Sequence, residues 1–119
     1  MPALLEAIKA LDSINKQDIS EIKSFIQPPK IVKFTLEVVC ILLQENSEWE
    51  HIKKVVGATN FIDRLKKYDK DNISTKILKR FRKKIRNNSN YTPQKVATKS
   101  LASSSICKWT LAINEYAIA

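Results

Sequence analysis

Two narrow apolar stripes, one near each end of the chain, constrain the possible folds more than any other feature of this sequence. In the first stripe Leu4, Ile8 and Leu11 are spaced 4 and 3 residues apart. The second stripe has the spacing 4, 3, 4, 3 and comprises Ala102, Ile106, Trp109, Ile113 and Tyr116. This spacing is typical of a coiled-coil seam. Because the chain leaves along one seam and returns along the other, the sequence predicts that its two ends pair antiparallel beneath a cap.

The segment between the stripes divides into short helices at its breaking and capping residues. Asn15 interrupts the first stripe, and Asp18 with Glu21 forms a capping signature for a helix that ends at the Pro28-Pro29 pair. The stretch from Lys30 to Gln44 is apolar on most of its circumference. We therefore expect this stretch to be a helix at the centre of the core.

The next residues carry three further helix signals. A capping box from Ser47 to Glu50 opens a short helix that Gly57 can close in a left-handed conformation. Asn60 is expected to cap a helix over Phe61–Tyr68. Another apolar stripe lies between residues 77 and 85 and predicts a helix there.

The last predicted element is one long helix that contains the second stripe. Thr92 is its expected cap and Pro93 its first residue. Nowhere do apolar and polar residues alternate as in a strand. The predicted class is all-α: a small globule of about six helices capping a short antiparallel coiled coil. Residues 1–119 form one predicted domain, with 2–14 and 104–119 as the coiled-coil ends. The alternative is an ordinary helical bundle, because two or three heptads are a short sample.

Residues that could support catalysis or metal binding are scarce. The chain has one Gly, one His and two Cys, and Cys40 and Cys107 lie far apart in apolar surroundings. These counts predict no zinc site, disulfide framework or phosphate-binding loop, and no cofactor. The segment Asp69–Asn72 resembles the start of a calcium loop but lacks its glycine and its distal glutamate. No apolar run is long enough for a membrane span or a signal peptide. We expect neither an enzyme nor a membrane-bound protein.

Charge is distributed unevenly along the chain. Residues 1–71 contain 11 acidic and 11 basic side chains, whereas residues 72–119 contain 10 basic side chains and only Glu115 as an acid. The formal net charge of +9 therefore comes from the C-terminal part. A surface of one sign attracts polyanions over about a Debye length, ~8 Å at physiological salt.

Most of the excess charge lies in one predicted helix. Seven of the eleven residues between positions 76 and 86 are basic: Lys76, Lys79, Arg80, Arg82, Lys83, Lys84 and Arg86. Like charges four residues apart each destabilise a helix by ~0.2–0.5 kcal/mol. Either an anionic partner offsets this cost, or the cluster is a solvated basic face screened by salt.

Three lysines occupy the predicted junctions between the coiled coil and its cap. Lys16 follows the first stripe, and Lys95 and Lys99 are one turn apart before the second. In an antiparallel arrangement these junctions lie close together, so the three side chains form a candidate basic docking patch. The alternative is that each is an ordinary surface lysine.

Several short motifs, in order along nearly the whole chain, resemble one known family. They are Ala10-Leu11-Asp12-Ser13-Ile14, Lys23-Ser24-Phe25, Pro28-Pro29, Val39-Cys40-Ile41-Leu42-Leu43, Trp49, Asn60-Phe61, Tyr68-Asp69-Lys70-Asp71-Asn72-Ile73, Lys99-Ser100 and Cys107-Lys108-Trp109. The set is similar to the microtubule-binding domain at the tip of the dynein heavy chain stalk. The segment from Tyr68 to Ile73 is more similar to the axonemal heavy chains than to the cytoplasmic one.

The resemblance implies a fold and a partner. The family has six helices capping an antiparallel coiled coil, docks on the acidic groove between α- and β-tubulin, and changes affinity as the two stalk helices slide in register. It implies attachment to the rest of a dynein heavy chain, whose ATPase ring is absent from these residues. It also implies a cytoskeletal location, in a ciliary or flagellar axoneme, with the cytoplasm as alternative.

The resemblance also indicates candidate contact residues. A basic residue of the family corresponds to Lys16, whereas two other basic positions fall at Thr98, beside Lys99, and at Ala58. We expect the microtubule-binding residues to be Lys16, Ala58, Lys53, Lys95, Thr98 and Lys99, with the 76–86 cluster as an accessory site. The alternative function is a basic helical nucleic-acid-binding domain, suggested only by the charge; no recognition-helix or zinc signature supports it, and no nucleic acid is expected as a partner.

Overall fold

The computed structural model describes residues 2–118, and within this range the chain forms eight α-helices and no strand. The helices are α1 (Pro2–Leu11), α2 (Lys16–Ser24), α3 (Lys30–Leu43), α4 (Trp49–Gly57), α5 (Phe61–Lys66), α6 (Thr75–Arg86), α7 (Pro93–Ala97) and α8 (Leu101–Ile118). The predicted all-α class is confirmed. Six helices, α2 to α7, lie between the two terminal ones, as predicted for the cap.

The two terminal helices pack against each other. The chain leaves α1 directly into α2, and Asp18 and Glu21 of α2 line the same hollow as Leu101 and Ala102 at the start of α8. The last residues of α1 are therefore at the same end of the pair as the first residues of α8. This arrangement is antiparallel, as the two stripes predict.

The second stripe is wider in the structure than its seam spacing predicts. Ala102, Ile106, Trp109 and Ile113 are buried as expected, but so are six further residues around the same helix: Ser103, Ser104, Cys107, Thr110 and Ala112, with Ser100 just before it. The reason is that α8 packs not only on α1 but also on α3 and α7. In α1 the buried face stays narrow, with Leu4, Ala7 and Leu11.

Helix α3 lies at the centre of the core, as predicted. Its buried side chains are Val32, Thr35, Leu36, Val38, Val39, Cys40 and Leu42. It contacts α4, α6, α7 and α8. The buried hydroxyl of this helix, on Thr35, donates to the carbonyl of Ile31 at 2.8 Å, so no polar group of this side chain is left unpaired.

The prediction of one continuous final helix from Pro93 was wrong. Thr92 does cap α7, because its hydroxyl accepts the backbone N–H of Lys95 at 3.2 Å. However, the chain turns at residues 98–100 before α8 begins. The side chain of Ser100 accepts the N–H of Ser103 at 3.1 Å, in the manner of an N-cap, and Ser104 donates to the carbonyl of Pro93 at 2.8 Å. These bonds fold α7 back against α8.

Two predicted helix starts were displaced. Helix α2 begins at Lys16 with Asn15 as its N-cap. Asp18 is the third residue of this helix, the N3 position of the capping box, and not the cap itself. Helix α4 is preceded by Glu48 without a side-chain cap, and Ser47 plays no capping role. There the Asn46 side chain accepts the N–H of Glu48 at 2.8 Å instead. Short polar side chains compete for the same free N–H groups, and geometry selects one of them.

The predicted left-handed conformation of Gly57 was also wrong. Among the described residues Gln44, at φ 59°, is the residue with positive φ, and it ends α3. Gly57 is the last residue of α4, and its φ is not positive. Asn60 does precede α5, but its side chain makes no capping bond. Within the described residues no helix is long and apolar enough to cross a membrane.

Candidate functional site

Five of the six predicted site residues, all except Lys95, lie around helix α2, at the end of the α1/α8 pair where the chain enters the cap. We call this region the tip surface and define it by Lys16, Lys23, Lys53, Lys54, Ala58, Thr98 and Lys99. Helix α2 positions it, because α2 packs on α4 on one side and on α8 on the other. Its single fully buried side chain, Ile22, anchors it, and the other side chains of α2 are exposed or half-buried.

An apolar cleft of about 340 Å³ separates α2 from α4. Its lining includes Ile19 of α2, Val56 of α4 and Phe61 of α5, with Lys16 and Lys23 from α2. Both lysines are exposed, so the cleft combines an apolar floor with two cations at its rim. Such a site can hold an apolar side chain of a partner while the ammonium groups contact nearby carboxylates.

A second, more polar hollow of about 370 Å³ adjoins the first and shares Lys23, Gly57 and Ala58 with it. It adds Lys53 and Lys54 from α4. Lys53 is half-buried and forms an ion pair with Glu50 at 3.1 Å, whereas Lys54 is exposed. Lys16, Lys53 and Ala58 are therefore on one continuous side of α2.

The opposite side of α2 faces the α7–α8 turn. A hollow of about 210 Å³ is lined there by Thr98, Lys99 and Leu101 and by Asp18 and Glu21 of α2. The two acids lower the local positive potential around Lys99. Thr98 and Lys99 are thus brought close to α2, but across the helix from the cleft that contains Lys16.

Lys95 is placed differently from the other two junction lysines. It lies on α7, where its ammonium group donates to the side chain of Asn90 at 2.7 Å, in the loop before that helix. It does not line the hollow that contains Lys99 or the cleft that contains Lys16. The structure therefore brings Lys16 and Lys99 to the two sides of α2. Lys95 lies apart from both of them, on α7.

Lys23 is a site residue that sequence reasoning missed. Its side chain lies across Gly57, where a Cβ added to the glycine would be 2.8 Å from the Lys23 Nζ atom. Gly57 therefore provides space for this lysine rather than a left-handed turn. The available signal was the spacing, since Lys23 follows Lys16 by seven residues, or two helical turns, on the same face.

The 76–86 basic cluster is divided by the packing of α6. Ile77 and Phe81 are buried, and two cations at the edges of the buried face find partners: Lys84 pairs with Glu37 at 3.2 Å, and Arg82 donates to Asn114 at 3.2 Å. The remaining five cations are exposed: Lys76, Lys79, Arg80, Lys83 and Arg86. Helix α6 packs on α3, so this cluster is separate from the tip surface.

Outside the tip surface, the packing of the cap shifts the pKa of three further titratable groups. Hydrogen bonds from His51 at 2.9 Å and from Arg64 at 3.0 Å lower the pKa of Glu45. Burial raises the pKa of both free thiols, Cys40 and Cys107, to about 11, so they remain protonated at neutral pH. In the described part of the chain no three His, Cys, Asp or Glu side chains are grouped for a metal ion.

Comparison with known families gives a match over nearly the whole chain. The family described as "Microtubule-binding stalk of dynein motor" matches residues 1–118. Among solved structures, the "Microtubule Binding Domain of DYNEIN-C" superposes with a TM-score of 0.85 at 29% identity, over 98% of this chain and 84% of that one.

The curated relatives of this chain include several dynein heavy chains. The chain is 40% identical over 116 residues to dynein axonemal heavy chain 2 of Homo sapiens and 39% identical over 116 residues to the dynein-1-beta heavy chain of the flagellar inner arm I1 complex of Chlamydomonas reinhardtii. The cytoplasmic dynein heavy chain of Drosophila melanogaster is 35% identical over 118 residues. Each match covers 98% of this chain but only 2% or 3% of the relative. These matches give no support to the nucleic-acid alternative.

Proposed function

This chain belongs to the family of microtubule-binding stalk domains of dynein motors, and we propose that its tip surface docks on the acidic groove between α- and β-tubulin. The observation that carries the proposal is the position of the exposed lysines. Lys16 and Lys23 flank an apolar cleft at the end of an antiparallel helix pair, where a filament can approach without obstruction by that pair.

The contacts are divided between the two sides of α2. Lys16, Lys23, Lys53 and Ala58 form one side, and Thr98 with Lys99 forms the other. Lys95 contributes from the neighbouring turn at longer range. Because Thr98 and Ala58 replace basic residues of the family pattern, the affinity depends more on Lys16, Lys23 and Lys99.

The two terminal helices connect the tip surface to the rest of a dynein heavy chain. We infer that residues 2–14 and 104–119, of which residue 119 lies outside the described residues, are the ends of the two stalk segments that connect the cap to the remainder of a dynein heavy chain. Sliding of these helices in register sets the affinity of the tip for the filament, because a seam of this kind has discrete alternative registers. The chain itself has no catalytic role, and its relatives favour a ciliary or flagellar axoneme as its location, with the cytoplasm as the alternative.

The direct test is co-sedimentation of the 119-residue chain with stabilised microtubules at low ionic strength. We expect saturable binding, and we expect Lys16→Ala, Lys23→Ala and Lys99→Ala each to weaken it by about 2- to 5-fold, the effect of losing one exposed ion pair. None of these side chains is buried, so all three variants should retain the wild-type melting temperature.

The matched control is Lys67→Ala, which removes the same charge at an exposed position after α5. Its affinity should be unchanged within error. An equal loss in Lys67→Ala would mean that only net charge matters, and unchanged affinity in all three tip variants would remove the tip surface from the interface.

A further inference from the structure

The outer face of α6 is a second strongly charged surface that the proposed function does not use. We call it the α6 basic face and define it by Lys76, Lys79, Arg80, Lys83 and Arg86. At 100° per residue these positions fall within about 120° of the helix circumference. The buried Ile77 and Phe81 lie on the opposite side, which keeps the charged side turned to solvent.

The five cations of the α6 basic face form no ion pair within the described residues, whereas most of the half-buried lysines and arginines of the protein do. Ion pairs join Lys53 to Glu50, Arg64 to Glu45, Lys66 to Asp12 and Lys84 to Glu37. Within residues 2–118 no ion pair involves a member of the α6 basic face. Lys76 with Arg80, and Lys79 with Lys83, are like charges one turn apart, an arrangement that destabilises a helix unless an anion lies between them.

A groove beside this face provides more than charge. It has a volume of about 360 Å³ and lies between α6 and α3. Helix α6 contributes Arg80, Lys83 and Lys84 to its lining and α3 contributes Glu37 and Ile41, and Ser47 and Asn87 line it as well. Glu37 is already paired with Lys84 at 3.2 Å, which leaves Arg80 and Lys83 to attract an outside anion.

We propose that the α6 basic face and this groove bind an extended acidic peptide segment. The face spans eleven residues of helix, from Lys76 to Arg86, and the ten steps between them rise about 15 Å. An extended chain rises about 3.3 Å per residue, so four to five residues of peptide match this length. Positions three or four apart on a helix have their Cβ atoms about 5–6 Å from each other, which is less than a Debye length of about 8 Å, so neighbouring cations of the face act together on such a ligand. The proposal goes beyond the tip surface and does not depend on its partner.

A peptide fits better than a nucleic acid because the face offers no stacking surface. The aromatic side chain of α6, Phe81, is fully buried, and no member of the face is aromatic. Proteins that bind single strands combine cations with exposed aromatic side chains. The single row of charges instead matches one extended chain of carboxylates.

The test uses the 119-residue chain and a fluorescein-labelled decaglutamate peptide, followed by fluorescence anisotropy at low ionic strength. We expect saturable binding that weakens at least tenfold in the double variant Arg80→Glu/Lys83→Glu. The reversed charges form new i, i+4 pairs with Lys76, Lys79 and Lys84, so helix α6 should be retained, which circular dichroism can verify.

The matched control is Lys9→Glu/Lys67→Glu, which changes the net charge equally at exposed positions on α1 and after α5. We expect less than a threefold change in its affinity for decaglutamate. The proposal is overturned if the wild-type chain does not bind, or if the control loses as much affinity as the α6 variant. It is overturned as well if a short DNA strand of equal charge binds the same face more tightly than the peptide.

Discussion

Trp109 and Tyr68 together connect α8 to α3 and to the segment that follows α5. Trp109 is 1% exposed, and its ring meets the ring of Tyr68 edge to face, with 5.6 Å between centroids. The hydroxyl of Tyr68 in turn donates to the carbonyl of Leu42 at 3.1 Å. Helix α8 is thereby packed against the end of α5 and the end of α3, which makes this indole a structural residue of the cap.

We expect Trp109→Ala to lower the free energy of unfolding by about 3–5 kcal/mol, the cost of removing a fully buried aromatic side chain. The matched control is Trp49→Ala. Trp49 is half-buried and donates one hydrogen bond to the carbonyl of Phe25 at 2.9 Å, so its loss should cost about 1–3 kcal/mol. Urea denaturation of both variants measures the difference, and equal costs would contradict this packing role.

At the scale of the element, sequence patterns located the helices better than their ends. The stripes and breakers predicted α1 to α6 and the antiparallel pairing, because burial periodicity is a property of a whole segment. The caps depend on which of several neighbouring polar side chains reaches a free N–H group. Asn15, Asp18 and Ser47 are all suitable residue types, so composition could not decide among them.

The candidate site shows the same division. Lys16, Thr98 and Lys99 were predicted, and the structure places them around α2. Lys23 was missed because its spacing from Lys16 indicates only that both lysines lie on one face of α2, whereas its position against α4 depends on contact between helices that are far apart in the sequence. The absence of a Cβ at Gly57 makes room for this lysine, and only the packed structure shows that contact.

The capping box of α2 gives a test at this scale. Asn15 accepts the N–H of Asp18 at 2.9 Å, and Asp18 accepts the N–H of Asn15 at 3.0 Å. We expect Asn15→Ala to destabilise the protein by about 1 kcal/mol. Asn60 precedes α5 without a side-chain capping bond, so Asn60→Ala should cost close to nothing. Thermal denaturation of the two variants compares them; a larger shift for Asn60→Ala would refute the cap assignment.

The link among α3, α4 and α5 predicts a pH dependence. Glu45 follows α3 and contacts His51 of α4 and Arg64 of α5, and these hydrogen bonds hold its pKa below the usual value of 4.5. A carboxyl group with a lowered pKa in the folded state stabilises the fold above its unfolded pKa, and this stabilisation is lost as the pH falls through the folded pKa.

We therefore expect Glu45→Gln to be less stable than the wild type at pH 7 and to approach it near pH 3. The measurement is the free energy of unfolding in urea at both pH values. Glu48→Gln is the matched control, since Glu48 is an exposed acid nearby that forms no ion pair within the described residues. A stability gap that stays constant with pH would contradict the role of Glu45.

At the scale of the whole molecule, the two terminal helices are held in different ways. Helix α8 is connected to the cap by directional hydrogen bonds: Tyr91 with Thr110 at 2.7 Å, Arg82 with Asn114 at 3.2 Å, Ser104 with Pro93 at 2.8 Å, and Tyr116 with Asp71. Helix α1 packs through Leu4, Ala7 and Leu11, and its ion pair to the cap, between Asp12 and Lys66, lies just beyond its last residue.

Apolar contacts between helices can re-form after a displacement of one turn, whereas hydrogen bonds of fixed geometry are lost. A change of register between the two helices should therefore move α1 and leave α8 attached to the cap. We expect backbone amides at residues 7–11 to exchange hydrogen with solvent through local opening, faster than those at residues 107–113, whose exchange should require global unfolding. Hydrogen exchange followed by mass spectrometry measures both segments in one experiment. Asp12→Ala should accelerate exchange in α1 alone, whereas equal protection of both segments in the wild-type chain would mean that neither helix is the mobile partner.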